Sequence, residues 1–102
     1  MSLKKRFLKS KPVCKVTFKL SKEEAGQADT VHVVGDFNQW DETATPMRKL
    51  RGGGFSVTLD LAVGREYQFR YLVNASDWVN DWAADKYVPT EYPGVENSVV
   101  VV

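Results

Sequence analysis

Phe55-Ser56-Val57-Thr58-Leu59-Asp60-Leu61 alternates apolar and polar residues without a break. A period of two puts Phe55, Val57, Leu59 and Leu61 on one face of an extended chain and Ser56, Thr58 and Asp60 on the other. The stretch reads as a strand with one face in a core and one in water. Ahead of it, Arg51-Gly52-Gly53-Gly54 reads as a reversal, because glycine adopts positive φ at little steric cost. Behind it, residues 62–65 with Gly64 form a tight connection. Residues 66–74 then alternate again, with Tyr67, Phe69, Tyr71 and Val73 on one face and Gln68, Arg70 and Leu72 on the other.

The same period runs earlier in the chain. Cys14, Val16, Phe18 and Leu20 alternate with Lys15, Thr17 and Lys19. Residues 21–29 are polar and read as a turn whose Ser21-Lys22-Glu23-Glu24 start suits one helical turn. Residues 30–37 are rich in valine and read as a more buried strand, residues 38–46 as a loop and residues 47–50 as a short strand. Residues 75–96 hold two prolines, two tryptophans and two tyrosines with no sustained period, and read as a long functional loop. Residues 97–102 read as a last strand, placed inside a sheet because the run of valines would be a sticky edge. Strands at this spacing with almost no helix predict an all-β, immunoglobulin-like β-sandwich, with a barrel as the alternative.

The chain has 102 residues, enough for one domain with a modest core. Its formal net charge is +1, too little to draw it to nucleic acid. Lys4, Lys5, Arg6, Lys9 and Lys11 crowd the start, so residues 1–12 read as a solvated, frayed basic segment and residues 13–102 as the sandwich. No apolar run approaches the roughly 20 residues that cross a bilayer, and the basic start lacks the apolar segment of a secretory signal. Cys14 alone makes no internal disulfide and reads as a small buried side chain. Cys14 and His32 together are too few for zinc. A cytoplasmic protein without metal or cofactor and without a membrane contact is expected; oligomeric state leaves no signal.

Gly35-Asp36-Phe37-Asn38-Gln39-Trp40 closes the valine strand and opens the next loop. A tryptophan there offers a large flat face with one donor, suited to packing or to recognition. The axial C–H groups of a pyranose stack on such a face, so the segment points to carbohydrate. Gly35, Asp36, Phe37 and Asn38 read as structural: a bend, a core plug and side chains that bond nearby backbone. Catalysis finds little support. A glycosidase needs two carboxylates across a cleft, whereas Asp77, Asp81 and Asp85 share one loop. His32 lies mid-strand, where it serves no triad.

The array formed by residues 33–40, 55–61, 67–74, Trp78 and residues 96–100 resembles carbohydrate-binding module family 48. That family includes the glycogen-binding domain of the AMP-activated protein kinase β subunit. It also includes N-terminal modules of glycogen branching enzymes and isoamylases. The resemblance covers residues 13–102 and implies an immunoglobulin-like early-set sandwich. Kinase-subunit members hold α-1,4-glucan with two tryptophans, a basic strand residue and an asparagine near the last strand. The resemblance places these roles on Trp40, Trp78, Arg70 and Asn97, with arginine in place of the family's lysine. One extra residue precedes Trp78. The chain departs at Pro93-Gly94-Val95, where the family has Leu-Gly-Thr, and at Trp82, where it has proline.

Each candidate also has a plainer reading. Trp40 and Trp78 are stacking platforms or packed covers; Trp82 is loop packing or an added ligand contact. Arg70 is a solvated cation or a forked donor to sugar hydroxyls. Asn97 caps a turn or bridges adjacent hydroxyls, and Tyr87 and Tyr92 line the groove or, as the plainer reading, pack the loop. The expected function is non-catalytic binding of α-1,4-glucan by a stand-alone module. The alternative is a regulatory module that docks on a glucan-processing enzyme or kinase-like partner without holding sugar.

Overall fold

The computed structural model describes residues 3–102. Its strands are β1 Leu3–Phe7, β2 Val13–Leu20, β3 Val31–Gly35, β4 Arg48–Lys49, β5 Phe55–Ala62, β6 Glu66–Val73, β7 Asp77–Val79, β8 Lys86–Pro89 and β9 Glu96–Val101, with one helical turn, α1 Lys22–Ala25, between β2 and β3. They form two antiparallel sheets. One has the order β1-β2-β5-β4; the other has the order β3-β6-β9-β8, and β7 adds to β6 beyond the end of β9. The architecture is the expected immunoglobulin-like β-sandwich.

The alternating stretches meet as their patterns require. β2 and β5 pair along their whole length, from Val13 opposite Ala62 to Leu20 opposite Phe55. Val16 and Phe18 therefore point inward, while the outward Thr17 and Thr58 hydroxyls bond at 2.9 Å. From the other sheet, β6 sends Tyr67, Phe69 and Tyr71 into the same core. Phe69 sits edge-on to Phe18 and to Tyr71, with ring centroids 5.1 and 5.6 Å apart. Phe37, just past β3, closes the layer 5.4 Å from Phe18. Ser21 caps α1 with a reciprocal box: its Oγ accepts from Glu24 N–H at 3.1 Å, and the Glu24 carboxylate accepts from Ser21 N–H at 2.9 Å. β9 lies between β6 and β8, so its valines are covered.

Two expectations are corrected. Residues 1–12 are not a frayed segment over the part the structure describes, since β1 pairs residue for residue with β2 from Leu3 opposite Phe18 to Phe7 opposite Cys14. Residues 1 and 2 lie outside the described residues. The run of cations hid a period of two: Leu3 is buried in the core, and Lys5, on the same side, pairs with Asp85 at 2.6 Å. Residues 75–96 are not one irregular loop either. β7 is only three residues long and β8 ends on a proline, so neither shows a pattern in sequence; pairing with β6 and β9 creates both.

Candidate functional site

The outward face of β6 carries Gln68, Arg70 and Leu72. Val34 on β3 stands opposite Arg70, Val99 on β9 opposite Gln68, and both His32 and Trp78 opposite Leu72. Val34, Leu72 and Val99 are buried although they face away from the main core. Leu72 is thus buried on the same face of β6 that carries Gln68 and Arg70. Alternation alone does not show this, because it reports a face and not what covers it.

Trp40 enters from the end of β3. Asp36–Asn38 form a single 3-10 turn, after which Gln39 and Trp40 both take left-handed backbone, each at φ 56°. For a bulky residue that conformation is strained, and such strain concentrates at functional positions. Three bonds hold it. Trp40 N–H donates to Gly35 O at 2.9 Å. The indole N–H donates to Asp36 Oδ1 at 2.9 Å, while Asp36 Oδ2 accepts from the Gln68 N–H at 2.7 Å. Asn38 completes the loop: Oδ1 accepts from Gly35 N–H, and Nδ2 donates to Val33 O and Thr45 Oγ1, all at 3.0 Å.

Gln68, Arg70 and Asn97 floor a cleft of about 670 Å³, with Trp40, Glu91 and Tyr92 among the residues on its sides. That volume is in the range of small-ligand sites. Asn97 Nδ2 donates to Gln68 Oε1 at 3.0 Å. Two buried polar atoms of the floor, Arg70 Nε and Asn97 Oδ1, have no hydrogen-bond partner. The combination of two flat rings, a forked cation, amide donors and acceptors and one carboxylate suits a neutral ligand rich in hydroxyls.

The structure brings Trp40, Arg70 and Asn97 together. Trp78 stands beside them rather than in the cleft: the Arg70 guanidinium lies over its ring, 5.2 Å from the centroid. Trp82 is 71% exposed and does not line the cleft. Its turn is nevertheless pinned. Asp81 is buried, accepts from the Tyr71 hydroxyl at 2.6 Å and from Ala83 N–H at 2.8 Å, and donates its own N–H to Ser98 Oγ at 2.9 Å. Burial, and then the neighbouring Asp81 carboxylate, push the Tyr71 hydroxyl well above its ordinary range. Asp85 accepts from Lys5 and from Val101 N–H. Asp81 and Asp85 are therefore framework residues, and neither they nor Asp77 line the cleft. Among the described residues no cluster of three or more His, Cys, Asp or Glu is placed to hold a metal, and no helix is long and apolar enough to cross a membrane.

Gln68 and Glu91 are cleft residues that sequence reasoning did not select. Gln68 was legible, two positions before Arg70 on the same face. Glu91 was not, because its place depends on the β8–β9 hairpin. Of the two tyrosines with a groove reading, Tyr92 lines the cleft and Tyr87 does not.

The family model for carbohydrate-binding module 48 (isoamylase N-terminal domain) matches residues 15–88. The chain is also similar to the 1,4-alpha-glucan branching enzyme GlgB of Butyrivibrio fibrisolvens, with 40% identity over 65 residues. That match covers 62% of this chain and 10% of the enzyme, so the chain spans only a small part of the relative's length.

Proposed function

The chain belongs to the carbohydrate-binding module 48 family, and from that premise we propose that it binds α-1,4-glucan, such as glycogen, starch or maltooligosaccharide, by itself and without catalysis. The observation that carries this reading is the meeting of Trp40, Arg70 and Asn97 in one open cleft. A pyranose stacks on Trp40, while the Arg70 fork and the Asn97 amide take its hydroxyls. Trp78 contributes next to Arg70, and Trp82 only to a chain long enough to leave the cleft. The name of the similar branching enzyme supports the α-glucan class.

A second reading has one observation in its favour. Trp82, 71% exposed, and Phe7, 56% exposed, lie outside the cleft, and large exposed aromatics are common at protein interfaces. Here the module docks on a glucan-processing enzyme or kinase-like complex. Titration of maltoheptaose into ¹⁵N-labelled protein separates the two. Saturable movement of the Trp40 indole signal supports the glucan cleft. Unmoved indole signals at several millimolar sugar, with a dispersed spectrum, sink it and leave the docking module.

A further inference from the structure

We propose that the pair of rings gripping the sugar chain is Trp40 and Tyr92, on facing walls of the cleft, and that Trp78 is a positioning residue acting through Arg70. The proposal rests on the glucan reading above and changes which residues make it work.

Strand order fixes the walls. In the sheet β3-β6-β9-β8, the floor residues Gln68 and Arg70 lie on β6 and Asn97 on β9. Trp40 rises from the connection that leaves β3, on one side of that floor. Tyr92 hangs from the β8–β9 hairpin, on the other. A ligand in the cleft lies between the two rings and not on a single flat face.

The hairpin is built to hold Tyr92 out. Thr90 N–H donates to Val95 O at 3.0 Å, and Val95 N–H to Tyr92 O at 3.1 Å. The Thr90 hydroxyl bridges the same turn, donating to Val95 O at 3.0 Å and accepting from Tyr92 N–H at 3.1 Å. Two of these bonds use Tyr92 backbone and none uses its ring, and the residue itself is 70% exposed. A pinned turn that presents a bare ring over a cleft has no use in the fold. It is an economical recognition element, because a tyrosine has few torsions to immobilise.

Trp78 is occupied differently. One face of its ring carries the Arg70 guanidinium, and the ring is not among the cleft walls. A face covered by a guanidinium is not free for a pyranose. Stacking instead fixes the plane of the arginine fork, and so the direction of its hydrogen bonds.

The test is titration of maltoheptaose into the whole protein and five variants, Tyr92→Ala, Tyr92→Phe, Trp78→Ala, Arg70→Ala and the double Arg70→Ala/Trp78→Ala, each checked for a dispersed NMR spectrum. Tyr92→Ala is expected to weaken binding roughly 2- to 12-fold, the worth of one ring contact. Tyr92→Phe, which keeps the ring, rescues what Tyr92→Ala loses. Trp78→Ala weakens binding when Arg70 is present and costs nothing further in the Arg70→Ala background, because it acts through that side chain. Wild-type binding undiminished in Tyr92→Ala overturns the clamp. A further loss in the double variant beyond Arg70→Ala overturns the positioning role and restores Trp78 as a platform. Absence of binding by the wild type itself overturns the glucan reading, and the clamp with it.

Discussion

The Trp40 indole N–H and the Asp36 carboxylate meet at 2.9 Å, and the other oxygen of that carboxylate holds the Gln68 backbone N–H at 2.7 Å. One side chain thus ties the cleft's tryptophan to the strand that floors the cleft. The tie matters because Trp40 sits at φ 56°, a conformation that surrounding contacts must impose. Asp36→Ala removes both bonds. Because the carboxylate is exposed, the stability loss is expected to be modest, roughly 1 kcal/mol by urea unfolding. The loss of glucan affinity is expected to exceed the effect of any comparable exposed Asp→Ala change, for example Asp29→Ala. Equal affinity in the two variants would show that Trp40 holds its pose unaided.

Arginine at position 70 is a chemical choice. Its planar fork stacks on Trp78 while reaching into the cleft, whereas a lysine ammonium is a point charge with no plane to stack and no fork to donate through. Arg70→Lys keeps the charge and is expected to weaken maltoheptaose binding by about 1 kcal/mol, the usual worth of a partly exposed cation–π contact. The fold should be unchanged, since the Nε atom makes no bond in the free protein. Affinity equal to wild type would mean that charge alone is used at this position.

The long alternating strands were legible because burial on one face dictates a period of two: Phe55, Leu61, Phe69 and Tyr71 all landed in the core. Trp40, Arg70 and Asn97 were legible through resemblance, and the structure brings them to one cleft. What sequence hid was tertiary. β1 was masked by its cations, β7 and β8 exist only through their partners, and Leu72 is buried where no local pattern announces it. Sequence left Tyr92 between groove and loop packing for the same reason, because a residue beside Pro93-Gly94 looks like any turn until its strands are placed.

The buried Tyr71–Asp81 bond gives the fold an alkaline limit. Burial and Asp81 raise the Tyr71 hydroxyl above its unfolded value of about 10. A group whose folded pKa is raised contributes its stability fully below the unfolded value and loses it as pH rises towards the folded one. Tyr71 therefore adds no pH dependence up to about pH 10, and stability falls above it. Tyr71→Phe leaves the buried Asp81 without its 2.6 Å donor and is expected to cost about 1–3 kcal/mol at pH 7. The gap between variant and wild type should narrow between pH 10 and 11 in urea unfolding curves. A constant gap across that range would mean that Tyr71 does not titrate differently in the two states.

Gly35 is set by crowding, not by backbone angle. It is extended, at φ −173°, which any residue adopts. A Cβ there would overlap the Gln68 carbonyl oxygen and stand 2.7 Å from Phe69 Cβ and 2.9 Å from Phe69 Cα. These atoms belong to the central strand of their sheet and cannot rotate away. Gly35→Ala must push β3 off β6, and overpacking of this kind costs about 1–3 kcal/mol or more. The damage is also directed, because Gly35 O accepts from Trp40 N–H and Gly35 N–H donates to Asn38 Oδ1. Glucan affinity should fall together with stability. Gly52 is the control: an added Cβ there meets nothing within 4 Å and needs no positive φ. Gly52→Ala is expected to change stability by no more than about 0.5 kcal/mol and to leave binding intact. If the two alanine variants unfold at the same urea concentration, β3 and β6 do not approach as closely as this site requires.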